Sequence, residues 1–197
     1  PGYSLTYRDK DSELNINNGT YLQMLTQIGR EGYGSDIDFA KAVVEATLIR
    51  TFNNVHRITI RGEAGVIKTN SFDEVPTSLR FYAGGDKSVR GFDYREISPT
   101  AEVIDPETGE LIVDSIGGKY LATSSVEYAY QVADNWRVAA FVDAGTATND
   151  TSTTLTYSVG PGVHWLSPIG PVRLYVARGF APDENTWQLH ILLGPEL

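Results

Sequence analysis

Gly84-Gly85-Asp86-Lys87-Ser88-Val89-Arg90-Gly91-Phe92-Asp93-Tyr94 is the stretch on which the reading of this chain turns. It lies inside the longest segment without clean strand alternation, roughly Thr69 to Gly118, and alternating strands flank it on both sides. Its three glycines permit tight turns and close backbone contact. Arg90 and Phe92 stand two apart, so in extended backbone they point the same way. A connection this long is uncommon in a compact protein and is usually either functional or disordered. Phe81, Tyr82, Val89, Phe92 and Tyr94 make it too apolar for a solvated linker. The reading is an ordered loop that folds back into something and needs a partner for its arginine.

The flanks read as strands. Leu22, Met24 and Ile28 alternate with Tyr21, Gln23, Leu25 and Gln27; Ile58, Ile60, Ala64 and Val66 alternate with Arg57, Thr59, Arg61 and Glu63. Tyr120, Val126, Tyr128 and Tyr130 oppose Thr123, Ser125 and Glu127; Val138, Ala140 and Val142 oppose Arg137, Phe141 and Asp143. Thr146 to Thr154 reads as a polar loop, Val172 to Ala177 as a strand and Gly179 to Asn185 as a loop. At the end, Trp187, Leu189, Ile191 and Leu193 share a face, with Gln188 and His190 behind. The segment Phe39 to Ala46 suits a helix by composition. As a strand it places Ala40, Ala42, Val44, Ala46 and Leu48 against Lys41, Glu45 and Thr47, and the strand context favours that choice.

The total is about nine antiparallel strands, many near the roughly 9–11 residues that a tilted membrane strand needs. Short turns alternate with longer loops, as in outer-membrane barrels. A soluble barrel has the same period with its apolar face inward, so alternation alone does not choose. Tyr128, Tyr130 and Trp165 beside short turns favour a membrane-interface girdle.

Composition narrows the function classes. With no cysteine, disulfides, thiolate catalysis and cysteine metal sites are excluded. A net charge of -9 argues against nucleic acid as a partner. The mean hydropathy of -0.22 does not argue against a membrane barrel, whose lumen-facing residues dilute the average. His56, His164 and His190 lie far apart in sequence, so no metal site is expected. No Gly-x-Ser-x-Gly elbow is present, and no catalytic residue or cofactor is assigned. Asp105 to Glu110 reads as a solvated acidic turn. The chain opens at Pro1 already in an alternating pattern and reads as a fragment of something longer.

Four stretches, in order, carry a resemblance. Val89-Arg90-Gly91-Phe92 resembles the VRGF motif of the BamA/TamA superfamily of outer-membrane insertion and translocation barrels. Phe141-Val142-Asp143-Ala144-Gly145 resembles that family's FxDxG strand motif, and Glu127 matches an acidic position. Gly160 to Pro171 resembles its GxGxxWxSPxGP stretch. The ending Leu193 to Leu197 is similar to that of the TamA (translocation and assembly module) branch.

The resemblance covers essentially the whole chain. It implies an all-β fold: the C-terminal portion of a transmembrane antiparallel β-barrel, about nine of sixteen strands, with residues 69–118 as a long extracellular loop folding into the lumen. Earlier strands and periplasmic POTRA domains would precede it. It implies the outer membrane of a Gram-negative bacterium, a non-enzymatic insertion and translocation role, autotransporter-type or other outer-membrane protein substrates, and an inner-membrane-anchored TamB-like partner. A general BamA-type assembly factor and a two-partner-type secretion pore are the alternatives.

The residues expected to act follow from this. Arg90 is expected to latch the loop to Glu127, Phe141 and Asp143, because a guanidinium can bind a carboxylate bidentately and stack on a ring. Gly91, Gly160 and Gly162 are expected to permit close approach between loop and wall. Trp187, Leu189, Ile191, Leu193 and Gly194 are expected to form a lateral seam to which a substrate strand adds.

Overall fold

The computed structural model describes residues 1–104, 109–150, 155–182 and 185–196. Nine long strands form one antiparallel sheet. They are β1 (Gly2–Lys10), β2 (Gly19–Gly29), β3 (Phe39–Phe52), β4 (His56–Thr69), β7 (Tyr120–Ala133), β8 (Trp136–Thr148), β9 (Thr156–Ser167), β10 (Gly170–Phe180) and β11 (Asn185–Leu193). Each pairs with its neighbours in sequence, in the order β1-β2-β3-β4-β7-β8-β9-β10-β11. The ambiguous segment after Asp38 is strand, as its alternation indicates.

Connections differ at the two ends. Residues 53–55, 134–135 and 168–169 make tight turns at one end, which also carries the connection 11–18; the connections after β2, β4 and β8 lie at the other end. The outward face is apolar: Ile60, Val126, Val142, Leu174 and Val176 are all exposed. The inward face holds the buried polar residues Arg57, Thr59, Ser125, Glu127, Arg137, Asp143, Ser158 and His164. An apolar exterior around a charged interior is the membrane arrangement and the reverse of a soluble barrel. Trp136 stacks on Trp165 at the tight-turn end, and Tyr157 stacks on Phe180 at the other, as interfacial rings do.

Residues 70–98 enter the concave side of the sheet. Phe72, Val75, Phe81 and Ala83 bury themselves with Ile37, Ile67, Leu121 and Ala147, which fixes the loop's root inside the curve. The loop is more structured than its sequence suggests, with two 3-10 turns, Phe72–Glu74 and Thr77–Leu79, and a hairpin of β5 (Thr100–Ile104) and β6 (Leu111–Ser115). β5 alternates exposed and half-buried residues, while β6 is exposed along most of its length, so the hairpin carries only a weak alternation.

Three loop boundaries expected from sequence are corrected. Thr146 to Thr148 belong to β8, Gly179–Phe180 to β10 and Asn185 to β11. Gly179 pairs with both Ser158 and Thr186, and the Phe92 ring covers the space beside it, so the glycine does not end the strand. Residues 105–108 of the acidic turn and 151–154 of the polar loop lie outside the described residues.

Candidate functional site: the buried loop tip

The structure brings Arg90 against the sheet between β7, β8 and β10. It is 1% exposed, and Asp143 is fully buried. The Arg90 backbone N–H and Nε donate to Asp143 Oδ2 at 3.0 and 2.8 Å, and Nη2 donates to Oδ1 at 2.8 Å. Nη1 donates to Glu127 Oε2 at 2.7 Å and Nη2 to Ser125 Oγ at 3.1 Å. Glu127 also faces His164, with Oε1 3.4 Å from Nε2. Burial opposes the Arg90 charge, but the hydrogen bonds and charges of Asp143 and the charge of Glu127 outweigh it and raise its pKa above the ordinary arginine value. The cation is permanent, and the two carboxylates give it fixed geometry.

Two rings complete the seat. The guanidinium carbon lies 3.6 Å from the Phe141 ring centre and 4.6 Å from that of Tyr175, and the rings meet edge to face. Both rings lie over glycines of β9. Phe141 pairs with Gly160 and Tyr175 with Gly162. A Cβ on Gly160 would run into the Val176 carbonyl of β10 and sit 2.9 Å from the Phe141 ring, and one on Gly162 would meet the Tyr175 ring closer still.

This corrects the expected role of Gly160 and Gly162. They admit rings from adjacent strands and not the loop; the aromatic–glycine pairs then position the faces that hold Arg90. Gly91 does make the close approach to the wall. Its φ is +93°, and a Cβ there would lie 2.8 Å from the Gly179 nitrogen.

The same tip is bonded to β11. The Gly91 N–H donates to His190 Nε2 at 2.9 Å, which leaves Nδ1 to donate to Asp86. Thr186 Oγ1 donates to the Gly91 carbonyl, and Gln188 Nε2 donates to Asp93 Oδ1 at 3.0 Å. Thr186, Gln188 and His190 are the inward side chains of one strand, each two residues from the next, so they form a ladder along the tip. Trp187, Leu189, Ile191 and Leu193 point the opposite way, each at least 60% exposed. Val89 and Phe92 are both buried.

Residues 2–194 match the Omp85 superfamily domain. The chain belongs to the Omp85 superfamily. An outer membrane protein assembly factor BamA from Nitratidesulfovibrio vulgaris is 34% identical over 182 residues, 89% of this chain and 22% of that protein. The BamA of Neisseria meningitidis serogroup B is 29% identical over 197 residues, 82% of this chain and 24% of its own length. The crystal structure of BamA from Haemophilus ducreyi lacking POTRA domains 1-3 superposes with a TM-score of 0.80 at 21% identity, over 98% of this chain and 41% of that one. The chain thus spans roughly a quarter or less of the curated relatives' length. It is the C-terminal part of an Omp85 β-barrel of the Gram-negative outer membrane.

Within this Omp85 segment, sequence reading pointed to Arg90, Glu127, Phe141 and Asp143, and the fold gathers them. It did not point to Ser125, Tyr175, Thr186, Gln188 or His190. Ser125 and Tyr175 join only through cross-strand register. The ladder's signal was its polar period of two on the inner face of the last strand. The resemblance to TamA in particular rests on the ending alone, while the two curated relatives above carry the BamA name.

Proposed function

We propose that this segment is the seam-bearing part of an outer-membrane protein assembly factor, which folds substrate strands against the edge of β11 without covalent chemistry. The observation that carries the reading is the loop tip: a buried cation on the lumen wall, joined by side-chain bonds to the strand at the sheet's end. β11 pairs only with β10 within this sheet. A strand edge with free N–H and C=O groups is a template for another strand, and lipid penalises leaving it open. In this reading Arg90 fastens the loop, the loop sets the inner face of β11, and an incoming strand adds to the free edge. The outward face works in the bilayer, and nascent outer-membrane proteins are the substrates.

The name of the BamA relatives favours general assembly. A second reading, a TamA-type module acting on autotransporter-type substrates with a TamB-like inner-membrane partner, is favoured by Leu193-Gly194-Pro195-Glu196-Leu197. In the complete protein, a reducible disulfide between β11 and the first strand of the barrel tests the seam. Assembly of substrate barrels is expected to stop and to return on reduction; unchanged assembly refutes the role. Loss confined to autotransporters selects the second reading.

A further inference from the structure

A second ionic cluster lies at the tight-turn end of the lumen, joined to the Arg90 seat through His164. Arg57, Arg137 and Arg173 each follow a tight turn closely, at the start of β4, β8 and β10. All three point inward and are at most 9% exposed. Arg137 and Arg173 both stand opposite His164 of β9, so two guanidiniums flank one imidazole across adjacent strands.

One carboxylate answers two of the three arginines. Gly194, with φ +98°, turns the chain inward after β11 and delivers Glu196 to the cluster. Arg57 donates from Nη1 to Oε1 at 3.1 Å and from Nη2 to Oε2; Arg173 donates from Nη1 to Oε1 at 2.7 Å. Arg137 bonds neutral groups, Gln131 Oε1 at 2.9 Å, Asn15 Oδ1 at 3.0 Å and Asn17 Oδ1 at 3.2 Å. Arg173 Nε is buried with no hydrogen-bond partner. Among the described residues, then, Arg57 and Arg173 share Glu196, Arg137 meets neutral oxygens only, and the buried Arg173 Nε stays unused. A third guanidinium without a carboxylate of its own and an open donor leave capacity for a further anion.

We propose that this end of the lumen is a peptide-carboxylate site and that Glu196 is its built-in, displaceable occupant. Glu196 displays the chemistry: a carboxylate carried on peptide backbone, gripped by Arg57 and Arg173. The ligand is an acidic peptide segment entering from the tight-turn side, with Arg137 and the free Arg173 Nε as additional donors. Its side chain is gripped, but its backbone is sparsely tied among the described residues. Beyond β11 the backbone keeps one hydrogen bond, Gly194 N–H to the Pro171 carbonyl at 3.0 Å, reinforced by Arg173 on the Gly194 carbonyl at 3.4 Å. Pro195 has no N–H to add another. This inference stands on the arginine geometry and not on the seam reading.

The complete protein in detergent micelles serves for the test, by fluorescence anisotropy. The probes are a labelled, amidated hexapeptide with one central glutamate, its glutamine twin, and the twin with a free terminal carboxylate. Glu196→Gln is expected to tighten binding of the glutamate peptide about tenfold, with the amidated twin binding about tenfold more weakly. Arg137→Gln, which leaves the Glu196 contacts in place, is expected to weaken the glutamate peptide alone. Binding of the third probe assigns the site to carboxylates in general, and its failure assigns it to acidic side chains. Equal binding of glutamate and amidated glutamine peptides overturns the proposal. So does an unchanged affinity in both variants, each first shown to be folded by its heat-modifiable gel mobility.

Discussion

Arg90 combines three demands that no other residue type meets together: a permanent charge, a planar fork for Asp143, and a face for Phe141. Arg90→Ala leaves two buried carboxylates unpaired, and breaking such a pair costs about 3–5 kcal/mol, less where lumen water reaches it. The expected outcome is a marked fall in the denaturant midpoint of the complete barrel. Arg90→Lys is expected to fall between, since it keeps the charge and loses the fork. Gly91→Ala tests geometry with the charges kept. Its φ of +93° and the nearness of Gly179 predict that the tip leaves the wall, detectable as protease cleavage near residue 91. Much of this seat was legible, because Phe141 and Asp143 stand two apart on one strand and Arg90 lies in a loop too apolar for solvent. Tyr175 and Ser125 were not, because their proximity depends on register between strands. Nor was the true duty of Gly160 and Gly162, since a glycine's neighbour across a strand leaves no local mark.

At the scale of elements, the loop and β11 form one unit. Three inward side chains of β11 hold the backbone or carboxylates of residues 86–93. Removing them in Thr186→Val/Gln188→Leu/His190→Leu is expected to speed amide exchange in β11 and at the tip while leaving β3 and β4 unchanged. Uniform exchange in all strands contradicts the coupling. The strands themselves were readable because one face meets lipid and the other a polar lumen, which writes a period of two into the sequence. Ends were less readable: Gly179 looks like a terminator until Phe92 fills its space. The β5–β6 hairpin escaped notice because each strand has only five residues and β6 is exposed on both faces.

For the whole molecule, the decisive asymmetry is which side of the sheet holds charge. Val142, midway along β8, is 54% exposed on the outer face, while its neighbour Asp143 is fully buried within. Val142→Arg is expected to destabilise the membrane-embedded barrel by about 2–4 kcal/mol. The same change in a soluble protein would be nearly silent, so a null result in bilayers counts against the membrane assignment. Fold class and orientation were legible from aromatic placement and motif order together; alternation supplied the strands but not the side that faces lipid.

The central claim is that Arg90 and Asp143 act as a pair that fastens the loop in the lumen. A double-mutant cycle on the unfolding of the complete barrel, with Arg90→Ala, Asp143→Ala and both together, measures it directly. The account predicts non-additivity of about 1–3 kcal/mol, the double variant losing clearly less than the two singles summed. Strictly additive losses would mean that the two residues act separately, and the fastening would be refuted.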